Sequence, residues 1–220
     1  MIKGVIFDID GVILDSMPIW ENAGEIFLKK LGIQPEPGLS KALETMSMTE
    51  GAEYLKKTYH LNMDEHEIIN GVNQTIADFY AHQVQLKDGV EQFLKDIKQH
   101  GIKIVAATSC DREVFERAFE RLNVTGYFDR IFTCTEIGAG KSKPDIFLAA
   151  AGFMGKEPSE TLVFEDALYA IQTAKRAGFK TIGVYDDSAR DNLEDIKAAC
   201  DIFLNKLDDF HSLIESLKER

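Results

Sequence analysis

Near its amino terminus the chain reads Val5-Ile6-Phe7-Asp8-Ile9-Asp10-Gly11, an apolar run that ends in two acids and a glycine. The apolar run predicts a buried strand. Because side chains alternate along a strand, the spacing of two places both carboxylates on the same side. Carboxylates this close favour a neighbouring cation, which could be a metal ion, a lysine or both. A strand that ends in an acidic, solvated turn is the simpler alternative, and the rest of the chain decides between them.

Composition and charge narrow the classes of partner. The 220-residue chain is 45% hydrophobic, which is typical of a globular protein with a proper core. Its formal net charge of −12 argues against nucleic acid and membrane as partners, since both require a basic surface. A small anionic substrate stays compatible, because a local site of metal, lysine and backbone amides can outweigh the overall charge.

The amino terminus and the cysteines indicate the compartment. The first residues lack the long apolar core of a signal peptide, and no run approaches the ~18 apolar residues of a membrane span. The three cysteines, Cys110, Cys134 and Cys200, are odd in number and form no CxxC pair, so neither a disulfide framework nor a zinc knuckle is indicated. We expect a cytoplasmic protein, and a monomer, since nothing in the sequence demands a dimer.

Strands alternate with helices through most of the chain, but residues 15–82 contain helical patterns and no evident strand. This alternation predicts an α/β fold with a Rossmann-like parallel sheet, formed by residues 1–14 and 83–220. Residues 15–82 are then a helical insertion that leaves from the end of the first strand. Apolar runs predict the strands at residues 2–7, 102–107, 131–133, 161–164, 181–184 and 201–204.

Polar side chains follow the predicted central strands. Ligands of open parallel sheets bind beyond the carboxyl ends of the strands, so these residues are expected at one edge. Each residue alone could have an ordinary structural role, such as a helix cap, a solvated turn or a surface lysine. All of them together at one edge of the sheet favour a ligand site. They are Asp8 and Asp10 after the first strand, Thr108 and Ser109 after the second, Glu165 and Asp166 after the fourth, and Lys141 ahead of the helix that starts at Asp145.

The residue types indicate the chemistry of such a site. Carboxylates without histidine or cysteine suit a hard cation that prefers oxygen ligands, Mg²⁺ above all. Hydroxyl and backbone N–H groups after a strand can hold phosphate oxygens, and a lysine can neutralise charge on a transferring group. A carboxylate beside phosphorus can attack it and form an aspartyl-phosphate.

The four ordered motifs resemble those of the haloacid dehalogenase superfamily of phosphotransferases, and the insertion resembles its class I helical cap. The motifs are DIDG, TS, GKSKPD and ED. The resemblance implies that Asp8 is the nucleophile and a Mg²⁺ ligand, and that Asp10 is the general acid/base, with its carbonyl also on the metal. Thr108 and the Ser109 amide would hold phosphate, and Glu165 and Asp166 would complete the metal site.

The lysine motif departs from the GKPxPD pattern of the family. The chain reads Lys141-Ser142-Lys143-Pro144-Asp145, and alignment on Pro144-Asp145 makes Lys141 the active lysine. Lys143 stays open as an alternative.

The resemblance also implies the function, which is expected to be that of a phosphatase acting on a small phosphorylated metabolite such as a sugar phosphate. Dehalogenases of the superfamily lack the second acid, so Asp10 favours phosphoryl transfer. A β-phosphoglucomutase type of sugar phosphomutase is the first alternative. Aligned with such mutases, Trp20 falls at or near the position of their histidine and Met48 at that of their arginine, which disfavours a mutase. A non-catalytic phosphate-binding protein is the second alternative. Such a protein would be expected to lack Asp8, Asp10 or Lys141, and this chain has all three.

Several residues of the insertion are expected to face the substrate. A tryptophan among methionines favours a partly apolar leaving group, although a sugar phosphate stays compatible. Simple packing of the cap is an equal alternative for Met17 and Met46. The full set is Ser16, Met17, Trp20, Met46, Ser47 and Met48, of which Ser16, Trp20 and Met48 are predicted to bind substrate.

Overall fold

The structure is a computed structural model, and it describes residues 2–43, 46 and 48–218. The chain divides into two compact units. One consists of Met1–Asp15 with Gln85–Arg220, and the other is Ser16–Val84. We call them the core unit and the insert unit.

The described residues of the core unit form a six-stranded sheet in the order β3-β2-β1-β4-β5-β6. Every neighbouring pair is parallel. The predicted α/β fold is therefore confirmed, and each predicted strand is found within one or two residues of its expected bounds. The strands are β1 (Gly4–Phe7), β2 (Lys103–Thr108), β3 (Arg130–Thr133), β4 (Thr161–Glu165), β5 (Lys180–Val184) and β6 (Ile202–Leu204).

The described part of the insert unit contains helices joined by loops and no strand. Its helices are α1 (Met17–Lys30), α2 (Leu39–Leu43), α3 (Met48–Thr58) and α4 (Glu65–His82). Asp64 and Glu67 form a capping box at the start of α4, so side chains satisfy backbone N–H groups there. The buried face of α1 includes Ile19, Ala23 and Phe27, whereas Trp20 lies outside it and is exposed.

Most helices of the core unit lie between successive parallel strands, as βαβ crossovers require, and the last one follows the last strand. None of the helices formed by the described residues combines the length and the apolarity that a membrane span requires. The core-unit helices are α5 (Val90–Gln99), α6 (Arg112–Arg121), α7 (Cys134–Ile137), α8 (Asp145–Met154), α9 (Leu168–Arg176), α10 (Leu193–Ala199) and α11 (Phe210–Lys218).

The central strands are buried on both faces, which suits their continuous apolar sequence. On one face Phe7 of β1 stacks on Phe164 of β4, with ring centroids 4.3 Å apart. Phe93 of α5 contacts Phe164 edge-on, and Phe210 of α11 packs against Phe93 with centroids 5.5 Å apart. The acidic composition of the tail from Asp208 onwards predicts a solvated helix. The helix is present, but the solvated assignment is wrong for one face, since Phe210 and Leu213 are buried.

Gly89 is held in a conformation that only glycine adopts without strain. It precedes α5 with φ +85°, and a Cβ atom there would lie 2.5 Å from the carbonyl oxygen of Leu207.

We expect Gly89→Ala to lower the free energy of unfolding by about 3 kcal/mol, because it adds left-handed backbone strain and overpacking. Gly101→Ala is the matched control, because Gly101 has φ +67° and, beyond its chain neighbours, none of the described residues lies within 4 Å of its Cβ position. It should cost about 1 kcal/mol in the same urea titration, and equal losses would contradict the predicted clash.

Candidate active site

The sheet order defines where a ligand site is expected. The chain runs from β1 to β2 on one side, and later returns to place β4 on the other side of β1. Such a reversal opens a crevice beyond the carboxyl ends of the two strands. Phe7 pairs with Phe164 in the ladder, and the Asp8 N–H donates to the Phe164 carbonyl at 3.0 Å. Asp8 and Glu165 therefore stand side by side at this crevice.

Three buried acids meet at the crevice. Asp8, Glu165 and Asp166 each offer a carboxylate oxygen, and these oxygens lie within 4.8 Å of one another. Glu165 is fully buried, and Asp8 and Asp166 are less than a tenth exposed. Carboxylates this close repel one another strongly in a poorly solvated site, so the arrangement requires a compensating cation.

Lys141 supplies part of that compensation. Its Nζ lies 2.5 Å from Asp8 Oδ1 and 2.7 Å from Glu165 Oε1, and its side chain is buried. Burial alone would lower the pKa of the Lys141 ammonium, but the two carboxylates outweigh burial and raise that pKa above its usual value. Lys143 is exposed. The geometry therefore favours Lys141 in the choice that the sequence leaves open.

The site fits a divalent cation that binds oxygen. One ammonium cannot balance three carboxylates, and a divalent ion would supply the missing charge. Burial, followed by repulsion from Asp8, raises the pKa of Asp166. Within the described chain Asp8 Oδ1 and Glu165 Oε2 have no hydrogen-bond partner, although Asp8 Oδ1 has its ion pair with Lys141. Glu165 Oε2 is therefore an uncommitted buried carboxylate oxygen, the kind of ligand that such an ion prefers.

Asp10 lies in a tight turn directly after β1. The Gly11 N–H donates to the Leu14 carbonyl at 3.0 Å, and Gly11 has φ +74°, which glycine adopts readily. Asp10 itself forms an isolated bridge with Leu14 and is partly exposed. Its carboxylate is not part of the three-acid group found among the described residues. The structure thus separates the two acids of the DIDG motif into a buried one and a partly exposed one.

Thr108 and Ser109 lie at the carboxyl end of β2, which neighbours β1. Thr108 is buried, and its Oγ1 accepts a hydrogen bond from the Cys110 N–H at 2.9 Å. Ser109 is exposed, and its Oγ lies 3.6 Å from Cys134 Sγ. The predicted hydroxyl pair therefore contains one fixed and one accessible member.

Two features of this edge were not predicted. Tyr169 of α9 is half-exposed, and burial and the nearby Glu165 raise the pKa of its phenol, while a hydrogen bond with Ser109 lowers it. A tyrosine beyond the ED motif gives no sequence signal of this contact. Lys87 and Asp186 form a mostly buried ion pair with a 2.7 Å separation. They lie almost 100 residues apart in the chain, and only the fold brings them together.

The insert unit carries the other predicted residues. Trp20 is 42% exposed, and its Nε1 donates to the Tyr80 hydroxyl at 2.8 Å. Met48 is 47% exposed, and Ser16 is buried just before α1. Trp20 and Met48 therefore contribute little to the core of their own unit. Met17 and Met46 are half-buried, and Ser47 lies outside the described residues.

Comparison with known proteins identifies the class that this fold and site define. The sequence profile of the family described as haloacid dehalogenase-like hydrolase matches residues 5–184. The chain belongs to this family, as the resemblance of its motifs implied.

Curated relatives match more than four fifths of the chain, and a solved structure matches all of it. The fructose-1-phosphate phosphatase YqaB of Escherichia coli is 29% identical over 82% of this chain and 95% of its own length. The β-phosphoglucomutase of Bacillus subtilis is 28% identical over 83% of each chain. A solved β-phosphoglucomutase from Clostridium difficile shares the fold, with a TM-score of 0.72 at 21% identity, over 100% of this chain and 98% of that one. Relatives named as phosphatases support a phosphoric monoester hydrolase.

Proposed function

We propose that this protein is a Mg²⁺-dependent phosphatase that hydrolyses a small phosphomonoester, such as a sugar phosphate, through a phosphorylated Asp8. The observation that carries the proposal is the buried group of Asp8, Glu165, Asp166 and Lys141 at the sheet crevice. Its three acids suit a divalent cation, and Mg²⁺ typically keeps coordination positions open for substrate phosphate.

The proposed reaction has two steps. An Asp8 oxygen attacks phosphorus, the bond between phosphorus and the ester oxygen breaks, and Asp10 gives its proton to the departing alkoxide. Water then attacks the phosphorus of the aspartyl-phosphate while Asp10 takes its proton. The bond between phosphorus and the Asp8 oxygen breaks, orthophosphate leaves, and both acids regain their starting state.

The remaining residues would bind the metal ion and the phosphate and neutralise negative charge. Mg²⁺, held by Asp8, Glu165, Asp166 and the Asp10 carbonyl, would stabilise negative charge on the phosphoryl group. Thr108 and Ser109 would donate hydrogen bonds to phosphate oxygens, and Lys141 would balance charge that develops during transfer. Lys141 contacts Asp8 in the structure, which supports a role beside the nucleophile.

We also propose that the insert unit is the helical cap implied by the family resemblance, with Trp20 and Met48 selecting the leaving group. Their exposure within that unit supports this role. The cysteines are free thiols in the described chain, which is compatible with the cytoplasmic location that we propose.

A sugar phosphomutase is the second candidate, because a β-phosphoglucomutase is among the relatives. Met48 stands against it, at the position where mutases carry an arginine. The product distinguishes the two. With a sugar phosphate and its bisphosphate as primer, a mutase yields an isomerised sugar phosphate, whereas the proposed phosphatase yields orthophosphate.

Hydrolysis is expected to require Mg²⁺. The purified protein should release p-nitrophenol from p-nitrophenyl phosphate with Mg²⁺, lose this activity in EDTA, and regain it when Mg²⁺ is restored. Without substrate, Mg²⁺ at 100 times its dissociation constant should stabilise the fold by about 2.7 kcal/mol, measured by thermal unfolding. Asp166→Asn should weaken this stabilisation. Wild-type hydrolysis that persists in EDTA would contradict the metal requirement.

A further inference from the structure

The ammonium group of Lys87 is committed to three acceptors inside the core unit. Its Nζ donates to the Gly11 carbonyl at 2.7 Å, the Tyr185 carbonyl at 2.6 Å and Asp186 Oδ2 at 2.7 Å. The side chain is only 19% exposed. Because a lysine ammonium has three N–H donors, each donor has one partner here. An ordinary surface lysine donates mainly to water, whereas all three donors of Lys87 bind protein acceptors.

These contacts join three separate segments of the core unit. Gly11 belongs to the turn after β1, Lys87 follows the return of the chain from the insert unit, and Tyr185 follows β5. The Lys87 N–H also donates to the Ile13 carbonyl at 3.0 Å. Lys87 therefore holds the turn after β1 through both its backbone and its side chain.

Asp186 provides a rigid anchor for this lysine. It is buried, and its Oδ1 accepts hydrogen bonds from the N–H and the hydroxyl of Ser188 at 3.0 and 2.7 Å. Its Oδ2 accepts from Lys87. The carboxylate is thus fixed from both sides, and a fixed carboxylate fixes the ammonium that it binds.

The Gly11 carbonyl is the contact that matters for the reaction. The Gly11 N–H is bonded to Leu14 and its carbonyl to Lys87, so the backbone directly after Asp10 is restrained on both sides. We propose that Lys87 is a positioning residue that holds the Asp10–Gly11 turn so that Asp10 can protonate the leaving oxygen. This inference rests on the proposed function, because it gives Lys87 a task in that reaction.

The test compares two esters that differ in their need for a proton. The p-nitrophenolate ion leaves without protonation, whereas the more basic phenolate of phenyl phosphate gains from a general acid. We expect Lys87→Met to lower kcat/KM for phenyl phosphate by about 100-fold. For p-nitrophenyl phosphate the loss should be at least about tenfold smaller, since general acid catalysis contributes little there. An equal loss on both esters would indicate a structural role and overturn the inference.

Two further variants separate positioning from charge balance and from folding. Lys87→Met with Asp186→Asn removes the buried pair without an unbalanced charge, so it should fold even where Lys87→Met does not. It should keep the selective loss on phenyl phosphate, and recovery of wild-type kcat/KM on both esters would overturn the inference. Lys206→Met is the matched control, because Lys206 forms an exposed pair with Asp88 at 3.3 Å, and its two rates should equal those of wild type. A wild-type protein inactive on both esters would instead overturn the proposed function, and the positioning role with it.

Discussion

Asp8→Asn is expected to lower kcat for p-nitrophenyl phosphate by at least about 10⁴-fold, as loss of a nucleophile does in other enzymes. An asparagine amide has nearly the shape of the carboxylate but cannot accept the phosphoryl group. The fold should persist, because Lys141 keeps its 2.7 Å ion pair with Glu165. Steady-state kinetics and a thermal unfolding curve measure the two expectations separately.

The matched control for this variant is Asp88→Asn, which makes the same chemical change on a side chain that is 86% exposed. Its kcat should equal that of wild type. Wild-type activity in Asp8→Asn would exclude Asp8 as the nucleophile. A phosphorylated protein trapped from wild type, but not from the variant, would support it directly.

Lys141→Met is expected to impair both stability and activity. It removes the buried cation and leaves Asp8, Glu165 and Asp166 close together without compensation. Breaking a buried ion pair in this way typically costs about 3–5 kcal/mol in the free energy of unfolding. Loss of a preorganised charge beside the reacting group should lower kcat by about 10²–10³-fold.

Lys143→Met is the matched control for Lys141→Met, since Lys143 is two residues away and exposed. Urea unfolding and kinetics of this variant should match wild type. Added Mg²⁺ should restore part of the stability of Lys141→Met, because a divalent ion also balances the three acids. Equal effects of the two substitutions, or a larger effect of Lys143→Met, would contradict the assignment of Lys141.

The sheet was predictable from the sequence because its strands are short apolar runs between clear helical patterns. Burial on both faces favours continuous apolar runs, so residues 5–7 of β1 and residues 162–164 of β4 stand out in the chain. Helix α7 was not predicted, since four residues from Cys134 to Ile137 are too short for a periodic pattern. The buried face of α11 was missed because the acids Asp208, Asp209 and Glu215 favoured a solvated assignment for the whole tail.

The candidate site was predictable to the extent that its residues follow strands. Asp8, Glu165 and Asp166 needed only the parallel order of the sheet to be brought together. The choice between Lys141 and Lys143 needed the path of a loop, which spacing does not determine. Lys87 was missed for a related reason. A single lysine in a loop looks like a solvated one, and its acceptors Gly11 and Tyr185 are carbonyls that every residue carries.

The junction where the chain leaves and re-enters the core unit has a consequence for chain entropy. The Asp15 N–H donates to the Gln85 carbonyl at 3.0 Å, and Leu14 pairs with Leu86 in an antiparallel bridge. The two ends of the intervening segment are therefore held together by hydrogen bonds. Their separation is set by the core unit and does not depend on the length of the segment between them. Doubling the length of a flexible closed segment costs only about 0.6 kcal/mol. The intervening segment can accordingly change in length and sequence at little cost to the sheet that carries Asp8.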